Sequence, residues 1–277
     1  MGRVETRMYK RRKKRVACLR WLVVILIGAC AAVWFLGRGQ AAFLMENVGL
    51  SAPAPRTDDY DKTAESREVT LPAETWYAIQ TGVFSSRESA LQKADAYTER
   101  GAPGTVIKQG EKWRVFIACY GTEGEATAVR TRLETNQKVE TYLYAWECPE
   151  IRLRLTGMVG QLDAAEAGFT LLTSTAAALR DTAMELDAGQ LTTQEAAAAM
   201  DNLDTQITLW EDTVKRRFGR DVPPLFKDMM AITENWDARY SALRAAADAT
   251  ALSAVLKAQA MGMYDEICSW RNKMMAQ

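Results

Sequence analysis

The stretch IQTGVF at residues 79–84 is followed by a similar stretch, VFIACY, at residues 115–120. Each copy alternates apolar and other residues and ends on an aromatic residue, which is typical of a short strand. Helix-capping spacing follows both copies, with Ser85 before Glu88 and Thr122 before Glu125. Two such β-α units, each continued by a further strand, predict an α+β domain of the ferredoxin-like split βαβ type. Its four-stranded antiparallel sheet would carry two helices on one face and leave the other face free.

The predicted domain covers residues 72–148 and has six elements. They are strand 76–81, helix 86–100, strand 104–108, strand 113–119, helix 123–136 and strand 139–146. Alternation places one set of side chains under the helices, namely Ile79, Thr81, Val115, Ile117, Val139, Thr141 and Leu143. The opposite set forms what we call the aromatic face: Trp76, Ala78, Gln80, Arg114, Phe116, Tyr142, Tyr144 and Trp146.

The aromatic face has two interpretations. Rings that stack on sugars, one amide and one guanidinium suit a polysaccharide platform, and such a face is unusual as a purely solvated surface. The same rings could instead be covered by the helix predicted directly after Cys148-Pro149. Tyr142, Tyr144 and Trp146 lie nearest to that helix in the chain, whereas Gln80 and Arg114 lie further from it. Both interpretations stay open at this point.

The motifs Tyr77–Phe84 and Trp113–Tyr120 resemble the two motifs of the SPOR (sporulation-related repeat) domain of bacteria. Ala118 stands where that family usually has Gly, and Cys119 where it often has Pro. The resemblance implies binding to peptidoglycan glycan strands stripped of stem peptides, and recruitment to division or sporulation septa. It also implies a contact site of Gln80, Phe84, Arg114 and Phe116, in which Arg114 pairs with a lactyl carboxylate. The aromatic face adds Ala78, Tyr142 and Tyr144 to the predicted site.

The charge distribution is strongly asymmetric. The chain has 35 basic and 35 acidic residues, but nine basic residues and only Glu5 lie within residues 1–20. From residue 21 onward there are 26 basic and 34 acidic residues. A basic head on an acidic body favours a tethered protein over a nucleic-acid-binding domain.

An uncharged apolar run, WLVVILIGACAAVWFLG, occupies residues 21–37. It is long enough for a short transmembrane helix, since a span needs about 17–25 apolar residues. The basic residues before it predict a cytoplasmic N-terminus, so the sequence predicts a single-pass cell-membrane protein whose C-terminal part is extracytoplasmic. The alternatives are a soluble core helix and a lipoprotein signal with Cys30 as the lipidated residue. The run continues apolar beyond Cys30, which favours the uncleaved anchor.

The chain has no histidine, which excludes Ser-His and Cys-His nucleophile pairs and nearly all zinc enzymes. We therefore predict no catalytic residue, no metal site and no cofactor. The three cysteines beyond the apolar run, Cys119, Cys148 and Cys268, are widely spaced and odd in number, so they are predicted to be small buried thiols.

The rest of the chain is predicted to be a flexible linker, residues 38–71, and an antiparallel helical bundle, residues 149–277. The first helix of the bundle is predicted to begin at Ile151, because Ile151, Leu155, Met158 and Leu162 follow helical spacing. A second helix is predicted after the cap pair Thr192 and Glu195, a third after Pro223-Pro224, and a fourth around residues 256–274. The bundle could bind an envelope partner or support self-association. Three functions follow: a glycan-binding envelope protein, a non-catalytic envelope scaffold, and last a wall enzyme.

Overall fold

The computed structural model describes residues 64–234 and 236–276, which lie in one compact unit. The predicted cytoplasmic tail, the apolar run 21–37, the alternative at Cys30 and most of the linker lie outside the described residues. No helix within the described part of the chain is long and apolar enough to cross a membrane.

The described residues form six strands and seven α-helices. The strands are β1 (Ala64–Leu71), β2 (Glu74–Phe84), β3 (Thr105–Gln109), β4 (Lys112–Tyr120), β5 (Tyr142–Cys148) and β6 (Ile151–Met158). The helices are α1 (Arg87–Thr98), α2 (Glu123–Arg132), α3 (Val159–Asp187), α4 (Thr193–Phe218), α5 (Pro224–Glu234), α6 (Trp236–Arg244) and α7 (Ala249–Met275).

The main sheet has the order β3-β4-β2-β5, with every neighbouring pair antiparallel. This is the order of a split βαβ domain, so the α+β prediction for this part of the chain is confirmed. Residues Ile79 and Ile117 pack with Ala126 of α2 on one side of the sheet, and Val115 packs with Ala90 and Ala94 of α1. Five of the seven side chains predicted to lie under the helices therefore pack on that side: Ile79, Val115, Ile117, Val139 and Leu143.

The caps of α1 and α2 follow the predicted chemistry with one displacement. Thr122 forms a complete capping box: its hydroxyl accepts from the Glu125 backbone N–H at 3.3 Å, and the Glu125 carboxylate accepts from the Thr122 N–H at 3.2 Å. The cap of α1 is Ser86, which accepts from the Ser89 N–H at 3.2 Å, so the prediction of Ser85 was wrong by one residue. Neighbouring serines give the same local signal, and the end of β2 at Phe84 decides between them.

The chain on either side of the main domain forms a second, two-stranded sheet, which the sequence analysis did not predict. Strand β1 comes from the end of the predicted linker and pairs antiparallel with β6, from Ala64 opposite Met158 to Leu71 opposite Ile151. The helix predicted to begin at Ile151 begins at Val159 instead. Residues 151–158 fit both periods, and pairing with β1 selects the strand because it satisfies the backbone groups of both segments.

The C-terminal helices pack around α3 and α7. Trp270 of α7 stacks on Phe169 of α3 with ring centroids 5.9 Å apart. Gly168 allows the close approach of α4 and α5, since a Cβ at this position would lie 2.6 Å from the Trp210 ring and 2.3 Å from Met229 Cε. The predicted capping box of Thr192 and Glu195 opens α4. Apolar side chains of β1, β6, the aromatic face and these helices form one continuous core.

Candidate functional site

Helix α7 lies across one end of the aromatic face. The ring of Tyr264 stacks on Trp76 with centroids 4.0 Å apart and planes 4° apart, and it meets Trp146 edge-on at 5.5 Å. The Tyr264 hydroxyl is within hydrogen-bond distance of the backbone oxygens of Glu74, at 3.0 Å, and Trp146, at 3.1 Å. Burial raises the pKa of Tyr264, so the hydroxyl stays protonated and donates.

The prediction that this sheet face is free is therefore wrong at its Trp76–Trp146 end. Trp76 is 1% exposed, Phe116 0% and Trp146 3%. The Arg180 guanidinium of α3 covers the Trp76 ring at 4.5 Å from its centroid. Burying each large apolar side chain stabilises the fold by about 1.5–3 kcal/mol relative to leaving it exposed. Rings left exposed as a ligand platform would not give this stabilisation. At this end the face is an intramolecular interface, as in the second interpretation of the sequence. The cover is different, however: it is mainly Tyr264 of α7, and α3, the first helix after Cys148-Pro149, contributes Arg180.

The other end of the face is partly open, and we call it the arginine corner: Gln80, Arg114, Tyr142 and Tyr144. Arg114 Nη1 donates to Gln80 Oε1 at 2.7 Å, and the guanidinium carbon lies 4.7 Å from the Tyr144 ring centroid. Tyr142 is 52% exposed, and its hydroxyl donates to Glu140 Oε1. Arg114 and Tyr144 are half-buried, and Gln80 lies beneath Arg114 at 7% exposed.

The chemistry of the arginine corner suits an oxygen-rich ligand. Arg114 has no carboxylate partner in the described part of the chain, and its Nε has no hydrogen-bond partner there. The guanidinium is held in place by Gln80 and by the Tyr144 ring, so less conformational entropy is lost when it binds a ligand. The side-chain bond of Gln80 uses its oxygen, which leaves its N–H groups as donors. Tyr142 adds an exposed ring of the kind that stacks on a sugar.

The predicted site residues do not all meet at this corner. Ala78 and Phe116 are both 0% exposed and belong to the covered core. Phe84 lies on the opposite face, where it packs with Val115 on the side of α1. The reason is a register shift between Gln80 and Gly82, after which Phe84 pairs with Trp113 and Val83 pairs with Arg114. A bulge of this kind reverses the alternation, which simple parity does not reveal.

Two contributors to this face were missed from the sequence. Tyr264 was absent from the predicted stripe of the last helix, yet Met261, Tyr264, Cys268 and Arg271 form a second buried stripe on α7. A helix with two such stripes is buried on two sides, so this signal could have shown that the last helix packs on a second surface, although not on which one. The second contributor is Val83, which is 44% exposed beside Arg114 because of the same register shift.

Cys119, Cys148 and Cys268 are free and buried, as predicted, and burial raises the pKa of the Cys119 thiol to about 12. Among residues 64–234 and 236–276, no three His, Cys, Asp or Glu side chains converge as metal ligands would.

Comparison with known proteins identifies the sheet domain. Residues 66–144 match the family model of the SPOR domain. The chain is similar to the "Endolytic peptidoglycan transglycosylase RlpA" of Salmonella typhi and to that of Salmonella typhimurium, each 26% identical over 68 residues. Those matches cover 24% of this chain, which spans only 18% of each relative's length. The solution structure of the peptidoglycan binding domain of the B. subtilis cell wall lytic enzyme CwlC is 18% identical and covers 26% of this chain and 91% of that domain, with a TM-score of 0.23.

Proposed function

We propose, from the premise that residues 66–144 are a SPOR domain, that this chain binds the glycan strands of peptidoglycan without acting on them. The observation that carries the proposal is the arginine corner. It presents a guanidinium without a carboxylate partner in the described chain and an exposed tyrosine on the sheet face that α7 leaves partly open, and the buried amide of Gln80 holds the guanidinium from below. A lactyl carboxylate would pair with Arg114, and sugar rings would stack on Tyr142.

The first prediction concerns Arg114→Ala in a chain that begins at residue 59. A hydrogen bond to a charged group contributes about 1.5–3 kcal/mol, so the affinity for purified sacculi should fall roughly tenfold to hundredfold. The measurement is a pull-down over a range of sacculus concentrations, with and without enzymatic removal of stem peptides. Binding of the unsubstituted chain should be stronger after that removal.

The matched control is Arg152→Ala, which removes the same charge from another strand. The Arg152 side chain is 78% exposed and lies on β6, away from the corner. The Arg152→Ala variant should bind sacculi as the unsubstituted chain does. A thermal melt of both variants shows whether the fold is retained. Unchanged binding by a folded Arg114→Ala variant would rule out the arginine corner as the glycan site.

A second candidate function is a non-catalytic envelope scaffold that binds protein partners or a second copy of itself. It is favoured by one observation: the aromatic end of the sheet face is already occupied by Tyr264 and Arg180. In that case the unsubstituted chain would not sediment with sacculi at all, whether or not stem peptides had been removed.

We also propose that the chain is anchored in the cell membrane with its C-terminal part outside, and that it acts at division or sporulation septa. The support is the apolar run 21–37 behind nine basic residues. A reporter that is active only outside the cytoplasm should work when fused after Gln277, and a reporter active only in the cytoplasm should not. The reverse pattern would exclude this topology, and a fatty acyl group on Cys30 would support the lipoprotein alternative.

A tagged full-length chain that is spread evenly over the envelope would argue against the septal role.

A further inference from the structure

A cavity of about 540 Å³ lies between the end of β1, helix α3 and the C-terminal part of α7. Its walls include Glu68 of β1, Glu166, Phe169 and Thr173 of α3, and Arg271 of α7. Small-molecule sites commonly have volumes of about 300–1,000 Å³, so the space is large enough for an ordered ligand. The cavity shares no residue with the arginine corner.

The guanidinium of Arg271 is the most unusual group in this wall. Arg271 is 1% exposed, and its Nη1 donates to the backbone oxygens of Pro72, at 2.8 Å, and Pro149, at 3.2 Å. Within residues 64–234 and 236–276 it has no carboxylate partner, and its Nε has no hydrogen-bond partner. A buried cation without a counter-ion is unfavourable, and a guanidinium is suited to pairing with a carboxylate.

The other charged residues of the wall, Glu68, Glu74 and Glu166, are acidic, and this restricts the class of ligand. Glu68 is exposed, and within the described residues the ion pair of the Glu166 carboxylate is one long contact of 3.5 Å with Arg67 Nη1. Glu74 also lines the cavity, but its carboxylate accepts from Trp76 Nε1 at 2.6 Å. A simple anion would meet Arg271 but would be repelled by these glutamates. A ligand with one carboxylate and one ammonium group would satisfy both charges of the wall, and its apolar part would contact Phe169.

We propose that this cavity binds a small zwitterion of the amino-acid class, such as a free amino acid or a short free peptide. The carboxylate of the ligand pairs with Arg271, and its ammonium group lies toward Glu68 and Glu166. In a wall-binding protein the source of such a ligand would be a stem peptide cleaved from the glycan, and that link alone rests on the proposed function. The cavity itself depends only on the residues that line it.

The test is a calorimetric titration of the chain from residue 59 with alanyl-alanine, as the L,L and the D,D dipeptide. We expect at least one form to bind. Its C-terminal amide should bind at least about tenfold more weakly, because the charge-assisted pair with Arg271 is lost. N-acetylation should also weaken binding, because the ammonium group is lost. Absence of binding by both dipeptides at millimolar concentration, or equal affinity for the amide, would overturn the proposal.

Two variants locate the site without disturbing Arg271, whose bonds to two strand ends make its replacement a risk to folding. Thr173→Phe fills the cavity from α3 and should abolish dipeptide binding. Its matched control is Thr205→Phe, since Thr205 is an exposed helical threonine with the same bond to the carbonyl four residues earlier and lies on α4. The control should bind the dipeptide normally, and dipeptide binding retained by a folded Thr173→Phe variant would place the ligand elsewhere. The Arg114→Ala variant should bind sacculi more weakly but should bind the dipeptide normally. Failure of the glycan site and failure of the dipeptide site therefore give different results.

Discussion

Residues 72–148 expressed alone are expected to fold poorly and to bind a hydrophobic dye, although the sequence predicts that they form a complete small domain. In the structure, Trp76, Phe116 and Trp146 are buried in one core cluster with side chains of α3 and α7. Without that cover three large rings face water. At about 1.5–3 kcal/mol each, the loss is roughly 5–9 kcal/mol. Whole domains are stable by only about 5–15 kcal/mol, so little stability should remain.

The measurement is a thermal melt by circular dichroism together with dye binding, compared with the chain from residue 59. A control fragment with Trp76→Thr, Phe116→Thr and Trp146→Thr separates exposure of the rings from loss of the flanking strands. It should bind less dye than the unsubstituted fragment. A monomeric fragment 72–148 that melts sharply near the temperature of the longer chain would show that the C-terminal helices are not part of its core.

Trp76→Ala in the chain from residue 59 is expected to lower the free energy of unfolding by about 3–5 kcal/mol, as is usual for removal of a large buried aromatic side chain. Trp76 lies between the Tyr264 ring, at 4.0 Å, and the Arg180 guanidinium, at 4.5 Å, so neither neighbour can fill the space without losing its own contacts. Denaturant unfolding measures the change. A double-mutant cycle with Tyr264→Ala should show a coupling of about 0.5–1.5 kcal/mol.

Tyr142→Ala is the matched control for this effect. Tyr142 belongs to the same sheet face but is 52% exposed, so its loss should change the free energy of unfolding by no more than about 0.5 kcal/mol. If Trp76→Ala lowered the free energy of unfolding by no more than this control does, the stacking of α7 on the aromatic face would not hold in solution.

Local signals were sufficient to predict which segments of the sheet domain are strands and which are helices. The alternation around Ile79 and Val115 and the capping box at Thr122 act within a few residues, so strand and helix types follow from the sequence. The arginine corner was also within reach, since Gln80 and Arg114 share a parity and the structure joins them at 2.7 Å. The sheet face on which Phe84 lies could not be predicted, because the register shift after Gln80 depends on how β2 and β4 pair and not on either strand alone.

The sequence by itself determined the α+β sheet domain, its SPOR resemblance and the residue types of the arginine corner, because periodicity and caps are properties of short segments. Only the tertiary structure decided that Ile151–Met158 is a strand paired with Ala64–Leu71, and that α7 covers the Trp76 end of the aromatic face. A strand needs a partner from a distant part of the chain, and an apolar face shows only that something covers it. The identity of the cover depends on which surfaces fit together when the whole core forms, so no local pattern could supply it.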